Sequence, residues 1–273
     1  MKQLLSLLIL GLSVSTLAAH NYYPADIQSQ IENGQLKNEA LKEALFEVVS
    51  STHQTNGNGP DTLGCDSRKK GSCYSPIVLG YKGARKVLFG KLHLEQDAKG
   101  YYVKDVYCNK EIRNSQTKVG PGIIPNSNIL NCEHTWPQSK FTGRFGNETQ
   151  KSDLHHLYPT DSRANSVRGN YKFADVNGYE VGSDCKASHT EGNGGDFEPP
   201  TEHKGNVARA LFYFAVRYQM DIDPKQEATL RRWHEQDPVD ADEMDRNDGI
   251  YEVQNNRNPF IDYPHLIDSI SNI

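Results

Sequence analysis

Apolar positions recur at mostly three- and four-residue steps over residues 26–51, where Ile27, Ile31, Leu36, Leu41, Ala44, Leu45 and Val48 trace one side of a helix. The clearest helical pattern covers residues 207–218. Val207, Leu211, Phe214 and Ala215 share a face there, and Pro199-Pro200 lie before it. Residues 225–236 and 239–254 continue as helices and complete a helical C-terminal half. Residues 81–89 read as a short helix, and residues 101–108, 129–132 and 154–158 read as strands. After the last of these, Pro159-Thr160-Asp161 opens another helix, with Asp161 as its candidate cap. Residues 53–70 and 178–201, rich in Gly, Asn, Asp and Ser, read as loops. No linker divides the chain. The expectation is one α+β domain over residues 20–273.

The first nineteen residues stand apart. Lys2, an apolar run over residues 4–14, and Thr16-Leu17-Ala18-Ala19 have the layout of a secretory signal peptide. The run is too short for a membrane span, which needs roughly 20 apolar residues. A periplasmic or secreted protein without a membrane anchor is expected. The net charge of −5 argues against a nucleic-acid packaging protein. Any action on phosphates needs positive potential confined to a cleft or supplied by a metal.

Five cysteines follow the leader, and an oxidising compartment makes disulfides their default state. Cys65 and Cys73 bracket a Gly/Lys/Arg-rich loop that a bridge would staple. A bridge from Cys108 to Cys132 would pin the segment beside Glu133 and leave Cys185 over. Connectivity is not fixed by spacing. The absence of a CxxC pair counts against a zinc site.

The chemistry concentrates in Asn131-Cys132-Glu133-His134-Thr135-Trp136-Pro137-Gln138-Ser139. It is followed by Ser152-Asp153-Leu154-His155-His156-Leu157-Tyr158-Pro159 and by Arg163-Ala164-Asn165-Ser166-Val167-Arg168. A strand bearing His, a loop, a second strand and a helix bearing Asn is the order of a ββα-metal nuclease core. With these segments in view, the chain resembles the endonuclease I family of bacterial periplasmic and secreted nucleases, which carry the ββα-metal (His-Me finger) motif. Further matching pieces are Leu79-Gly80-Tyr81-Lys82-Gly83-Ala84-Arg85, Leu88-Phe89-Gly90, Asp105-Val106-Tyr107-Cys108, Asp153-Leu154-His155 and the ending Gln254-Asn255-Asn256-Arg257-Asn258-Pro259-Phe260. The resemblance runs over residues 40–260. It implies a ββα-metal core embedded in a largely helical single domain, acting as a monomer on DNA and RNA without sequence readout.

It also implies roles. His134 is the expected general base, because a neutral imidazole accepts a proton near neutral pH. Glu133 and Asn165 are the expected ligands of Mg²⁺, with Mn²⁺ or Ca²⁺ as substitutes. Mg²⁺ takes hard oxygens and keeps several waters, so two protein ligands suffice. The products would carry 5′-phosphates. Arg144 is the candidate for the scissile phosphate, with Lys140 as its competitor. Asp153 and His155 would orient the site, with His156 pointing away as a packing or exposed residue. Arg163 and Arg168 would reach phosphates. Arg257 and Asn258 read as structural, and Arg209 and Arg217 as the polar face of their helix.

Neighbouring strand residues point to opposite faces, so Glu133 and His134 converge on one phosphate only if the strand bends or ends there. Two other readings are a binding protein on a dead nuclease scaffold and an unrelated metal hydrolase. The first is disfavoured because Glu133, His134 and Asn165 are all present. The second lacks support because no HExxH occurs.

Overall fold

The computed structural model describes residues 21–192 and 194–273, so the expected signal peptide lies outside the described residues. The helix expected over residues 26–51 is two helices, α1 (Ala25–Glu32) and α2 (Asn38–Ser50). Gly34 separates them at φ +63°, and its N–H bonds back to the Ile31 carbonyl. Glycine takes that left-handed conformation without the Cβ penalty other residues meet.

The remaining order is β1 (His53–Asn56), β2 (Gly59–Leu63), β3 (Cys73–Tyr74), α3 (Gly80–Val87), β4 (Glu95–Asp97), β5 (Gly100–Lys104), β6 (Glu111–Arg113) and β7 (Leu130–His134). Then follow α4 (Asn147–Lys151), β8 (Leu157–Asp161), α5 (Ser162–Arg168), β9 (Tyr179–Gly182), β10 (Cys185–Thr190) and β11 (Phe197–Glu198). The chain closes with α6 (Thr201–Arg217), α7 (Pro224–Gln236), α8 (Ala241–Gln254) and α9 (Pro259–Asp262). The class is α+β. Its strands form four small sheets, ordered β2-β1-β3, β4-β5-β6, β7-β8 and β9-β10-β11.

Both segments read as loops contain strands. Their inward positions are mostly small or polar: His53, Gln54 and Asp61 in one, Cys185, Ser188 and Thr190 in the other, with Val181 and Phe197 the buried apolar exceptions. A strand of that composition shows no apolar alternation. The strand expected over residues 154–158 starts later, at Leu157. Asp153 accepts a hydrogen bond from the His155 N–H and winds residues 154–156 into a 3₁₀ turn.

Two apolar clusters flank β7. One is built on α6 and includes Leu45, Tyr107, Trp136, Phe214 and Trp233. The other joins Ala84, Leu88, Val103, Leu130, Cys132, Leu157 and Ile250. This packing corrects the expected disulfides. Cys65 pairs with Cys73, but Cys108 pairs with Cys185, and Cys132 is a buried free thiol. Cys132 shares the Leu130 face of β7 and is consumed by the second cluster, while Cys108 is bridged to the first residue of β10. Among the described residues no helix is long and apolar enough to cross a membrane.

Arg209 and Arg217 are also corrected, because α6 is buried almost all round and neither lies on a polar face. Arg217 sits 3.4 Å from the Asp153 carboxylate and donates to the Val49 carbonyl. Arg209 is fully buried, doubly bonded to Glu243, and donates to the Asp237 carbonyl at 2.9 Å. Gly205 is needed beside it, since a Cβ there would lie 1.9 Å from the Asp237 carbonyl oxygen. Removing one partner of such a pair strands a buried charge. Glu243→Ala is expected to destabilise the fold by about 3–5 kcal/mol, read as a lowered urea midpoint. A loss below about 1 kcal/mol would show that the pair does not hold α6 to α8.

Candidate active site

β7 pairs antiparallel with β8, placing Glu133 opposite Tyr158 and His134 opposite Leu157. α5 follows β8 without a break. The Asp161 carboxylate starts it by accepting from the Arg163 and Ala164 N–H groups at 2.9 and 3.0 Å, which fulfils the expected cap. The helix packs on both strands. β7 ends at His134, and the chain turns away at Thr135-Trp136-Pro137.

Glu133 and His134 make no common side-chain contact. Glu133 is 2% exposed and faces the α6 side of β7. Its Oε1 accepts from the Tyr107 hydroxyl at 2.9 Å and lies 3.1 Å from Nη1 of Arg168. Burial raises the carboxyl pKa, and Arg168 and then Tyr107 oppose that rise. Arg168 itself is buried, donating to the Thr135 carbonyl at 2.6 Å and the His134 carbonyl at 3.2 Å. Its guanidinium is committed to these protein acceptors rather than left free for a phosphate. It braces the end of β7 and holds Glu133 in place.

His134 lies on the other face, 5% exposed. Its Nε2 is 3.1 Å from the Lys151 carbonyl oxygen, so that nitrogen carries the proton and donates. Nδ1 is left with its lone pair, approached among the described residues by the exposed Gln138 amide at 3.3 Å. Tyr81 and His156 pack against the ring, with centroids 5.5 and 5.4 Å away. Burial, reinforced by His156, pushes the His134 pKa down to about 3. The imidazole is neutral at physiological pH.

Asn165 is half-buried on α5, one turn before Arg168 and on the same side of the helix. Its side chain makes no hydrogen bond among the described residues. One carboxylate and one unspent amide oxygen therefore flank the same helix–strand junction. Hard oxygen donors of this kind fit Mg²⁺, which fills the rest of its shell with water or phosphate. Among the described residues no group of three or more His, Cys, Asp or Glu is arranged to hold a metal.

The remaining candidates are dispersed. Arg144 is exposed, and its guanidinium donates to the Gln219 carbonyl at 2.8 Å. Arg163 is exposed beside Asp184, 3.9 Å away. Lys140 lines a cleft of about 520 Å³ with Tyr171 and Lys172. Asp153 is buried between the Tyr213 and Tyr218 hydroxyls, at 3.0 and 2.9 Å; burial raises its pKa, but Arg217, the neighbouring histidines and the Gln254 hydrogen bond outweigh that and hold it down at about 2. His155 donates to the Asn256 carbonyl at 3.1 Å. His156, expected to point away, is the one of the three that touches His134. It is buried there and donates to the Gln150 carbonyl at 2.8 Å. Arg257 and Asn258 are structural, as expected: Arg257 pairs with Asp262 and Asp248, and Asn258 caps α9. Sequence reasoning gave no role to Tyr107, Gln138 or the Lys151 carbonyl. Tyr107 belongs to the Asp105–Cys108 segment that marked the family resemblance, which is the one signal pointing to it.

An antiparallel strand pair carrying a Glu-His dipeptide is thus closed by an Asn-bearing helix. The chain matches the Endonuclease I family over residues 38–265 and belongs to it. It is 42% identical over 159 residues to the extracellular ribonuclease of Bacillus amyloliquefaciens, covering 51% of this chain and 53% of that protein. It is 31% identical over 192 residues to a periplasmic deoxyribonuclease of Aeromonas hydrophila, covering 57% of this chain and 77% of the relative. The chain thus spans about half the length of the Bacillus relative it matches.

Burial of neutral imidazoles has a consequence for stability. His134, His155 and His203 are held at about 3 and His156 at about 4, chiefly by burial. The unfolded chain protonates these groups below about pH 6.5, whereas the folded chain does not. Their contribution to stability is complete above that pH and is lost as pH falls toward 4 and 3. Urea midpoints should fall steeply between about pH 6 and pH 4, with a slope near 1.4 kcal/mol per pH unit for each proton taken up. A midpoint unchanged over that range would contradict the neutral burial of these rings.

Proposed function

We propose that this chain is an exported, Mg²⁺-dependent, sequence-nonspecific endonuclease that hydrolyses DNA and RNA to 5′-phosphate products. The observation that carries the reading is the orientation of His134: its proton is committed to a backbone carbonyl, and its basic Nδ1 faces an exposed, displaceable side chain. Relatives named as a ribonuclease and as a deoxyribonuclease support action on both polymers. Their extracellular and periplasmic names, together with two disulfides, support export.

In this reading a water occupies the Gln138 side of His134 and gives its proton to Nδ1 as its oxygen attacks phosphorus. The bond from phosphorus to the 3′ oxygen breaks and that oxygen takes a proton from solvent water, leaving a 5′-phosphate and a 3′-hydroxyl. The negative charge of a bound phosphodiester raises the basicity of the imidazole above its value in the free protein. Glu133 and Asn165 would hold Mg²⁺, which supplies positive charge to the phosphate and to the leaving oxygen. Arg168 and Tyr107 keep Glu133 fixed for that purpose. The β7-β8-α5 unit is the ββα-metal core in this view, supported by its strand–strand–helix order and by the family. Nonspecificity follows from recognition through phosphates rather than base edges.

Supercoiled plasmid incubated with the mature protein tests this directly. Nicking followed by degradation with Mg²⁺, and protection by EDTA, are expected. His134→Ala should lower the rate by about 10²–10⁴. Intact plasmid from folded protein in Mg²⁺ would overturn the reading in favour of a binding scaffold.

A further inference from the structure

None of the arginines expected to reach phosphate is placed beside His134 with its charge free. α3 and α4, however, bring other cations to it. Tyr81 packs on the His134 ring, and its own ring receives two cations: the Arg85 guanidinium at 5.2 Å and the Lys151 ammonium at 4.6 Å from the centroid. Lys151 is doubly tied to the base, because its carbonyl accepts the His134 Nε2 proton. Lys82 stands exposed on the same helix as Arg85, three residues away. Glu148 is the nearby anion, and its carboxylate accepts from the Tyr81 backbone N–H at 3.1 Å.

Among the described residues, Lys82, Arg85 and Lys151 enter no ion pair and make no side-chain hydrogen bond. Elsewhere several buried or half-buried cations are ion-paired, Lys110, Arg113, Lys204 and Arg231 among them. Two like charges held around one ring repel each other, and contact with the ring face offsets only about 0.5–1 kcal/mol for each. In a protein of net charge −5 this is a local reserve of positive charge left for an anion from outside.

We propose that Arg85 and Lys151 form a backbone subsite that binds the phosphate next to the scissile one, on the Tyr81 side of His134. This rests on the nuclease reading and names what that site grips: a polynucleotide strand, through a phosphodiester flanking the one cleaved. Arg85 offers a planar fork to two phosphate oxygens, and Lys151 adds a point charge. Tyr81 sets the spacing between these cations and the base. A substrate with no flanking phosphodiester forfeits these interactions.

The test uses a labelled single-stranded oligodeoxynucleotide, bound in EDTA and read by anisotropy, alongside cleavage kinetics in Mg²⁺. Variants are Arg85→Gln, Lys151→Gln, their double, and Lys99→Gln, which removes an equal charge from the exposed β4–β5 turn. Each site variant is expected to weaken binding about tenfold. The salt slope of log affinity should drop by about 0.7 for each phosphate no longer neutralised. KM should rise far more than kcat falls, and Lys99→Gln should match the parent. A strand with alternating neutral methylphosphonates, which leaves no charged phosphate beside another in any register, should cost the parent more affinity than it costs the double variant. Folded site variants that bind as Lys99→Gln does would overturn the subsite. An absence of cleavage by the parent would instead overturn the nuclease reading, while the binding measurements still decide the subsite.

Discussion

The alternation of side chains along β7 is the constraint on which the site depends. A strand sends successive residues to opposite faces, so Glu133 and His134 cannot share an environment. The structure gives each its own. Glu133 enters a polar pocket made by Tyr107 and Arg168, while His134 enters an aromatic one made by Tyr81, Phe141 and His156. The two burials have opposite electrical needs. An ionised carboxylate requires a cation, which Arg168 supplies, whereas the imidazole is simply kept neutral. β7 ends at His134, and the chain turns away there through Thr135-Trp136-Pro137.

Holding that end rigid falls to buried polar groups. Arg168 bonds the carbonyls of His134 and Thr135 as well as Glu133, so one guanidinium fixes both the backbone and the carboxylate. Behind the second strand, Asp153 gathers Tyr213, Tyr218, Arg217 and Gln254 into one network. Arg246 from α8 donates to the Leu154 and Leu157 carbonyls, the latter at 2.8 Å. These bonds order residues 153–157, the segment that sets His156 against His134. Arg209, Arg217, Glu243 and Arg246 of the C-terminal helices thus act inside the protein.

The sequence made the long helices legible because their apolar faces are wide, and it made β7 legible because Glu133-His134 sits in a recognisable strand–strand–helix order. It did not show β1, β2 or β10, whose inward residues are polar or small, nor β9, which buries Val181 alone, and their sheets have only three strands. Nor could it show that Arg168, Arg209 and Arg217 are buried. A charged residue reads as surface unless its partner is known, and those partners lie about 35, 34 and 64 residues away in sequence. The disulfide misassignment has the same root. Cys132 neighbours Glu133 in sequence, yet its side chain belongs to an apolar cluster that only the tertiary packing defines.

In the proposed reading labour divides across β7, with the cation on the Glu133 face and proton transfer on the His134 face. Mn²⁺ binding followed by electron paramagnetic resonance separates the two without relying on turnover. His134→Ala should bind Mn²⁺ within about twofold of the parent, a shift small beside the tenfold that 1.4 kcal/mol represents, whereas Asn165→Ala should bind it at least about tenfold more weakly. Equal loss of Mn²⁺ in both folded variants would make His134 part of the cation site. Unchanged binding in Asn165→Ala would remove α5 from it, and either result would contradict the account.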